Sequence, residues 1–473
     1  MRLTWLFSLV TISPVLAATG AGHWIPPVRA GLIGGVNSLN SKPGTAETLQ
    51  KIDTTLGALR GVVENSGICE TTPNVFQASG YGDLAANKSI FFWYFAARNN
   101  PATAPFALWL NGGPGASSMI GLFQELGPCR ITNDSSSVTR NPYSWNTNVN
   151  MLFIDQPVGV GFSHGTETVA TTPAAAVDVW HFLQIFFKDS RFSRLAAKEF
   201  AIWTESHGGH YGPVFAKYFL AQNAAISAGT VNGHHINLKT LAIGDGQTVT
   251  ASNPYHPLVS SDVIAQANVS WNNPVTGCKA RITACNTHGS DSVCADAQDF
   301  CINNILGPLG GSVDFDYVLS DADAPAYPAD ITDYLESIRM QIGAEVPWNG
   351  ANLDVNERFQ TTGDPMRTSL PELEFVIDSG VRVLIYVGDA DYLLNFMGIE
   401  GMIASLNTKF SAEFNEQVFR PYTVNGLLGG QFKTAGTFGS DELITRQNGT
   451  LEVGQAALQF FEQTMANQSL SAT

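Results

Sequence analysis

Phe200-Ala-Ile-Trp-Thr-Glu-Ser206-His-Gly-Gly-His-Tyr places a serine in a tight turn between an apolar strand and the start of a helix. A serine held on such a strand-to-helix elbow is exposed for attack on a carbonyl. Thr204 stands where the general elbow pattern has its first glycine, and Gly208 and Gly209 supply the room the turn needs. A second segment, Trp109-Leu-Asn-Gly-Gly-Pro-Gly-Ala-Ser-Ser118, follows directly on a strand. Its consecutive glycines let backbone N–H groups approach an oxygen that becomes negative in a transition state. Either segment alone reads as an ordinary tight turn; strand before and helix after tip the elbow towards chemistry. A third segment, Val383-Leu-Ile-Tyr-Val387 then Gly388-Asp-Ala-Asp391, offers a carboxylate. A hydrolytic triad then needs a histidine C-terminal to that aspartate. The histidines are His23, His164, His181, His207, His210, His234, His235, His256 and His288, and none follows Asp391. The nucleophile has no evident base.

Elements able to position these residues alternate along the chain. Ser89–Ala96, Phe106–Leu110, Met151–Ile154, Phe200–Trp203, Leu238–Ile243 and Val381–Val387 are short apolar runs bounded by turn residues, as strands buried on both faces are. Helices are expected at Pro173–Lys188, after Ser206 and near Gly454–Ala466. Strand and helix in alternation predict an α/β fold with a mostly parallel sheet covered on both faces. Between about 246 and 370 the pattern breaks into clustered cysteines, glycine turns and a proline- and aspartate-rich run, which predicts an insertion into one continuing domain.

Composition narrows the class. The 473 residues carry a formal charge of −16, which argues against nucleic acid as a partner. Met1–Ala18 has one basic residue, an apolar run and small residues, the order of a secretory signal peptide; no later run is long enough to span a membrane. Residues 19–45 are rich in Gly, Pro and Ser and are expected to cross the surface with little regular structure. Six cysteines form an even set, with Cys278, Cys285, Cys294 and Cys301 spaced by seven, nine and seven. Zinc would want CxxC pairs, which are absent, so local disulfides in a loop-rich segment are expected, with no metal and no cofactor. Sequons at Asn87, Asn133, Asn268, Asn448 and Asn467 fit a secreted glycoprotein.

Four separated motifs, Trp109–Ser118, Asp155-Gln-Pro-Val-Gly-Val-Gly-Phe-Ser163, Glu205–His210 and Gly388–Asp391, together resemble the serine carboxypeptidases, especially the fungal secreted and vacuolar ones, from about residue 66 to 430. The resemblance implies an α/β-hydrolase core at 19–245 and 371–473, with a cap inserted at 246–370. It implies Ser206 as acyl-forming nucleophile, Asp391 as triad carboxylate, and the N–H groups of Gly113 and His207 as the oxyanion hole. Asn111, Gly112, Glu125 and Glu205 match the group that binds the substrate's terminal carboxylate. Glutamates crowded beside a carboxylate retain protons, which predicts release of C-terminal residues from peptides in acid.

The family's histidine lies in an Ala-Gly-His segment near the C-terminus, where this chain reads Thr437-Phe-Gly-Ser-Asp-Glu-Leu-Ile-Thr-Arg-Gln-Asn-Gly-Thr-Leu-Glu452 between familial flanks. Three accounts stand open: a pseudoenzyme binding peptide C-termini, a substitute base for which His207 and His210 are nearest, or a frame slip or translated intron at about 438–453. An acyltransferase or lyase on the same scaffold is a further alternative, though acyl transfer would want the same base. Two smaller departures are Ala116, where many members carry cysteine, and His207, where tyrosine is usual.

Overall fold

The computed structural model describes residues 57–247, 261–310, 315–316, 328–443 and 453–470. The expected signal peptide, the 19–45 stretch, the Asn448 sequon, His23 and His256 fall outside the described residues.

Fourteen strands form in the described residues: β1 Leu59–Glu64, β2 Gln77–Ala85, β3 Lys88–Phe95, β4 Phe106–Leu110, β5 Cys129–Ile131, β6 Val138–Arg140, β7 Asn150–Ile154, β8 His164–Gly165, β9 Phe200–Glu205, β10 Leu238–Gly244, β11 Arg382–Gly388, β12 Arg420–Val424, β13 Leu427–Ala435 and β14 Phe438–Leu443. β5 and β6 make a separate ribbon, and β8 pairs with β3. The main sheet runs β1-β2-β3-β7-β4-β9-β10-β11-β14-β13-β12. Its six central strands, β7 to β14, are parallel, and antiparallel wings flank them on both sides.

β3 shows why the strands read as unbroken apolar runs. Ile90, Phe92 and Tyr94 enter one core cluster, while Phe91, Trp93 and Phe95 enter a second on the opposite face. Successive side chains of a strand alternate faces, so a sheet covered on both sides needs apolar residues at every position. The helices Thr172–Lys188 and Gly208–Ser227 cover the first face. Phe460 and Phe461 of the helix Val453–Met465 cover the second, where Phe461 stacks on Trp145 at 4.1 Å between centroids.

The cysteine-rich segment corrects one expectation. It is helical and not loop-rich: Ser261–Asn272, Cys278–His288 and Asp291–Cys301 are helices. Seven residues are close to two helical turns, so Cys278 and Cys285 share one face and Cys294 and Cys301 another. The two faces are joined by nested disulfides, Cys278–Cys301 and Cys285–Cys294, around a small core of their own. With Cys69–Cys129 these bonds use every cysteine. Farther along the 246–370 stretch, Val355 and Phe359 of the helix Leu353–Thr362 join the main core. Ile331, Leu335 and Ile338 join the opposite face.

Candidate functional site

Ser206 follows β9 with φ +56°, a left-handed conformation that a serine holds only when its surroundings enforce it. The enforcement is visible. Ser206 N–H donates to the Gly244 carbonyl at 3.0 Å, and its own carbonyl accepts from Gly209 and Gln247 N–H at 2.9 Å each. Thr204, in the place of the usual glycine, fits because its hydroxyl donates to the Gly208 carbonyl at 3.0 Å. A Cβ at Gly208 would stand 2.4 Å from Thr204 Cβ, so one of the two positions must lack one.

The Trp109–Ser118 loop lies against this elbow. A Cβ on Gly112 would stand 2.5 Å from the His207 backbone nitrogen and 2.9 Å from Ser206 Cβ. Gly112 and the N–H of His207 are therefore brought together beside the serine, and Gly113 follows with φ +104°. The Asp155–Ser163 motif anchors the far end of the loop. Buried Asp155 accepts from Ser117 Oγ at 2.6 Å, Ser118 N–H at 3.1 Å and Phe162 N–H at 2.9 Å. Burial pushes its carboxyl up to about 7 against these donors. Gly161, at φ +57°, leaves the space that carboxylate fills: a Cβ there would fall 1.9 Å from Asp155 Oδ2. This motif is scaffolding for the loop.

Asn111 is the hub of the polar cluster. Its Oδ1 accepts from Trp109 Nε1 at 2.8 Å and Gly121 N–H at 3.1 Å, which fixes the amide orientation. Its Nδ2 then donates to Glu205 Oε1 at 2.5 Å and to Glu125 Oε1 at 3.4 Å. Removal from water pushes the Glu125 carboxyl up to about 7. Glu205 is pushed well up by burial first and by the Glu125 charge second. The pair holds protons where isolated glutamates have lost theirs.

Asp391 leaves β11 two strands from Ser206, since β9, β10 and β11 are parallel neighbours and Glu205, Gly244 and Tyr386 lie in register. At about 4.8 Å per strand this sets the two chain crossings roughly 10 Å apart. Asp391 Oδ1 accepts from Leu394 N–H at 2.8 Å, and no cation pairs with it among the described residues. Burial, then the charge of Asp245, raises its carboxyl well above the usual range. β14 runs parallel beside β11 with Leu443 opposite Gly388, so the chain leaves β14 at this same end of the sheet.

His207 and His210 do not supply the base. The His207 ring is fully buried, stacked on His210 at 4.7 Å, with Nε2 3.7 Å from Asp364 Oδ2 and 3.4 Å from Thr172 Oγ1. No hydrogen bond joins it to Ser206 among the described residues. Burial lowers His210 to about 3, and its Nε2 has no partner.

Two residues here went unread in the sequence. Asp245 sits between the Ser206 and Asp391 strands, donates its N–H to the Tyr386 carbonyl at 2.8 Å and accepts from Gly388 N–H at 2.8 Å. Burial pushes its carboxyl to about 6. Asp364 accepts from Thr172 N–H and Oγ1 behind the elbow. Asp245 closes β10 as part of Gly244-Asp-Gly246, a turn signal that could have marked it; nothing local marks Asp364. Among the described residues no cluster of His, Cys, Asp and Glu could hold a metal. Asn87, Asn133 and Asn467 are exposed; Asn268 lies on a helix.

Comparison with known proteins agrees with this geometry. The family model described as serine carboxypeptidase matches residues 67–449. Carboxypeptidase S1 of Penicillium janthinellum is 40% identical over 430 residues, covering 87% of this chain and all of that protein. Carboxypeptidase Y of Schizosaccharomyces pombe is 35% identical over 390 residues, covering 77% of this chain and 38% of that one. In fold, the chain matches the crystal structure of Kex1(delta)p, a prohormone-processing carboxypeptidase of Saccharomyces cerevisiae, with a TM-score of 0.60 at 20% identity, over 87% of this chain and 92% of that one. No helix among the described residues is long and apolar enough to cross a membrane. With the α/β-hydrolase sheet, the serine elbow and the match over most of its length, this chain belongs to the serine carboxypeptidase family.

Proposed function

We propose that this chain recognises the free C-terminal carboxylate of peptides in acid, with Ser206 at the point of attack and turnover held low by the lack of a histidine base. The observation that carries the reading is the Asn111–Glu125–Glu205 cluster, tethered by Trp109 and Gly121 beside the Gly112–His207 contact. Protonated carboxyl groups, held in place by the Asn111 amide, donate hydrogen bonds to a substrate carboxylate. The Gly112 N–H adds another donor. Carbonyl attack by Ser206 then develops charge towards the N–H groups of Gly113 and His207. Asp391 is the carboxylate that would orient the base, and no histidine follows it in the sequence.

Three disulfides suit passage through an oxidising compartment, in keeping with a secreted or vacuolar glycoprotein modified at the exposed Asn87, Asn133 and Asn467. An acyltransferase or lyase finds no support in the site, because neither gains a base from it.

Calorimetric titration at acidic pH with an N-blocked dipeptide, as free acid and as C-terminal amide, tests the reading. Binding of the acid with loss of binding for the amide is expected. Equal affinity for both, or none for the acid, would sink it.

A further inference from the structure

A small cavity open to solvent lies at the end of the sheet away from Ser206. It is lined by Arg382 at the start of β11, Thr434 and Thr437 around the β13–β14 turn, Thr464 in the last helix, and Ser469 beyond it. β11 has seven residues, so about 20 Å of strand separates this cavity from the catalytic end.

Arg382 is half-buried and forms no ion pair among the described residues. Three of its N–H groups are used: Nε and Nη2 donate to Asn467 Oδ1 at 3.1 and 2.6 Å, and Nη1 donates to the Gln468 carbonyl at 2.9 Å. A guanidinium has five N–H donors in a planar fork, so two remain. Thr437 Oγ1 is buried and has no hydrogen-bond partner. Thr464 is only 3% exposed yet lines the same space. Buried hydroxyls are ordinarily satisfied, and one left open beside a cavity points to what it takes.

We propose that this cavity binds a small oxyanion of the size of inorganic phosphate, held by the free N–H pair of Arg382 and by the Thr437 hydroxyl. The N–H donors of a guanidinium match the oxygens of a phosphate or carboxylate, which a single ammonium would not. The formal charge of −16 opposes anion approach over long range, so affinity in the millimolar range is expected. Burial of Arg382 without a counter-charge lowers its pKa, in the direction an anion would reverse.

Thermal unfolding of the full chain with increasing inorganic phosphate, against sodium chloride at matched ionic strength, tests this. The midpoint should rise with phosphate and not with chloride, with acetate as a weaker carboxylate probe. Arg382→Gln should abolish the rise. Thr437→Val breaks no hydrogen bond of the protein, keeps its shape, and should weaken phosphate at least about threefold. Dipeptide binding at the far end of the sheet should be unchanged in both variants. An equal response to chloride, or an unchanged phosphate response in either variant, would overturn the site.

Discussion

Replacing residues 444–452 with the Ala-Gly-His-bearing segment of the family should raise peptide hydrolysis by about 10⁴- to 10⁶-fold. The rest of the site is already built. Ser206 is held at φ +56° by three backbone hydrogen bonds, and Gly112 lies against the His207 nitrogen. β14 ends opposite Gly388 on the strand that leads to Asp391, so a segment following Leu443 starts at the Asp391 end of the sheet. The Asp391 carboxyl is pushed up by burial and by Asp245, whereas a carboxylate facing an imidazolium would be drawn down. Ser206→Ala in the chimera should return hydrolysis to the parent level, as measured by release of the C-terminal residue. A chimera that folds and binds dipeptide but stays at that level would show that the defect lies elsewhere in the site.

Acid dependence is the second large effect. The Glu125 carboxyl titrates near 7 and Glu205 lies raised beside it, so the pair is protonated at pH 5 and loses protons as pH climbs through 7. Once ionised, the pair accepts and no longer donates, and it repels a substrate carboxylate. A site that must hold a proton to bind loses affinity about tenfold per pH unit above the free site's pKa. Dipeptide affinity should therefore fall by at least about tenfold between pH 5 and pH 8. The double variant Glu125→Gln, Glu205→Gln stays neutral and keeps donors at every pH, so its affinity should fall much less over that range, with the Asp245 carboxyl still ionising near 6. Stability follows the same sign. Folded pKa values above the unfolded ones give a contribution that is full below pH 4.5 and lost as pH rises through 7, and the double variant should lack it. Titration calorimetry at pH 5, 6, 7 and 8 reads the binding slope, and a parallel slope in the double variant would discard the proton-sharing account.

What could be read beforehand divides along physical lines. β3, β4, β7 and β9 were legible because strands buried on both faces leave unbroken apolar runs such as Ile90–Phe95, which few other structures tolerate. The elbow was legible because a strained serine needs small neighbours, and Gly208 and Gly209 stand where Thr204 and Gln247 press in. The cysteine segment misled because its helices contain Thr, Asn, Ser and Asp and bury little besides cysteine; its regularity comes from crosslinks whose pairing a spacing alone does not dictate. Asp364 could not be found at all. Its partners Thr172 and His207 lie well over a hundred residues away, and only the packing of the Asp364–Met366 turn against the elbow brings them together. Long-range polar contacts of this kind leave no local signature.

The most direct test of an intact pocket with a broken relay is the fate of a bound peptide. An N-blocked dipeptide held at saturating concentration at pH 5 should remain uncut, with the free C-terminal amino acid appearing no faster than roughly 10⁻³ per second, a 10⁴-fold deficit from a typical enzyme rate of about 10 per second. Release at that typical rate, abolished by Ser206→Ala, would contradict the account and show that this chain activates its serine without a histidine after Asp391.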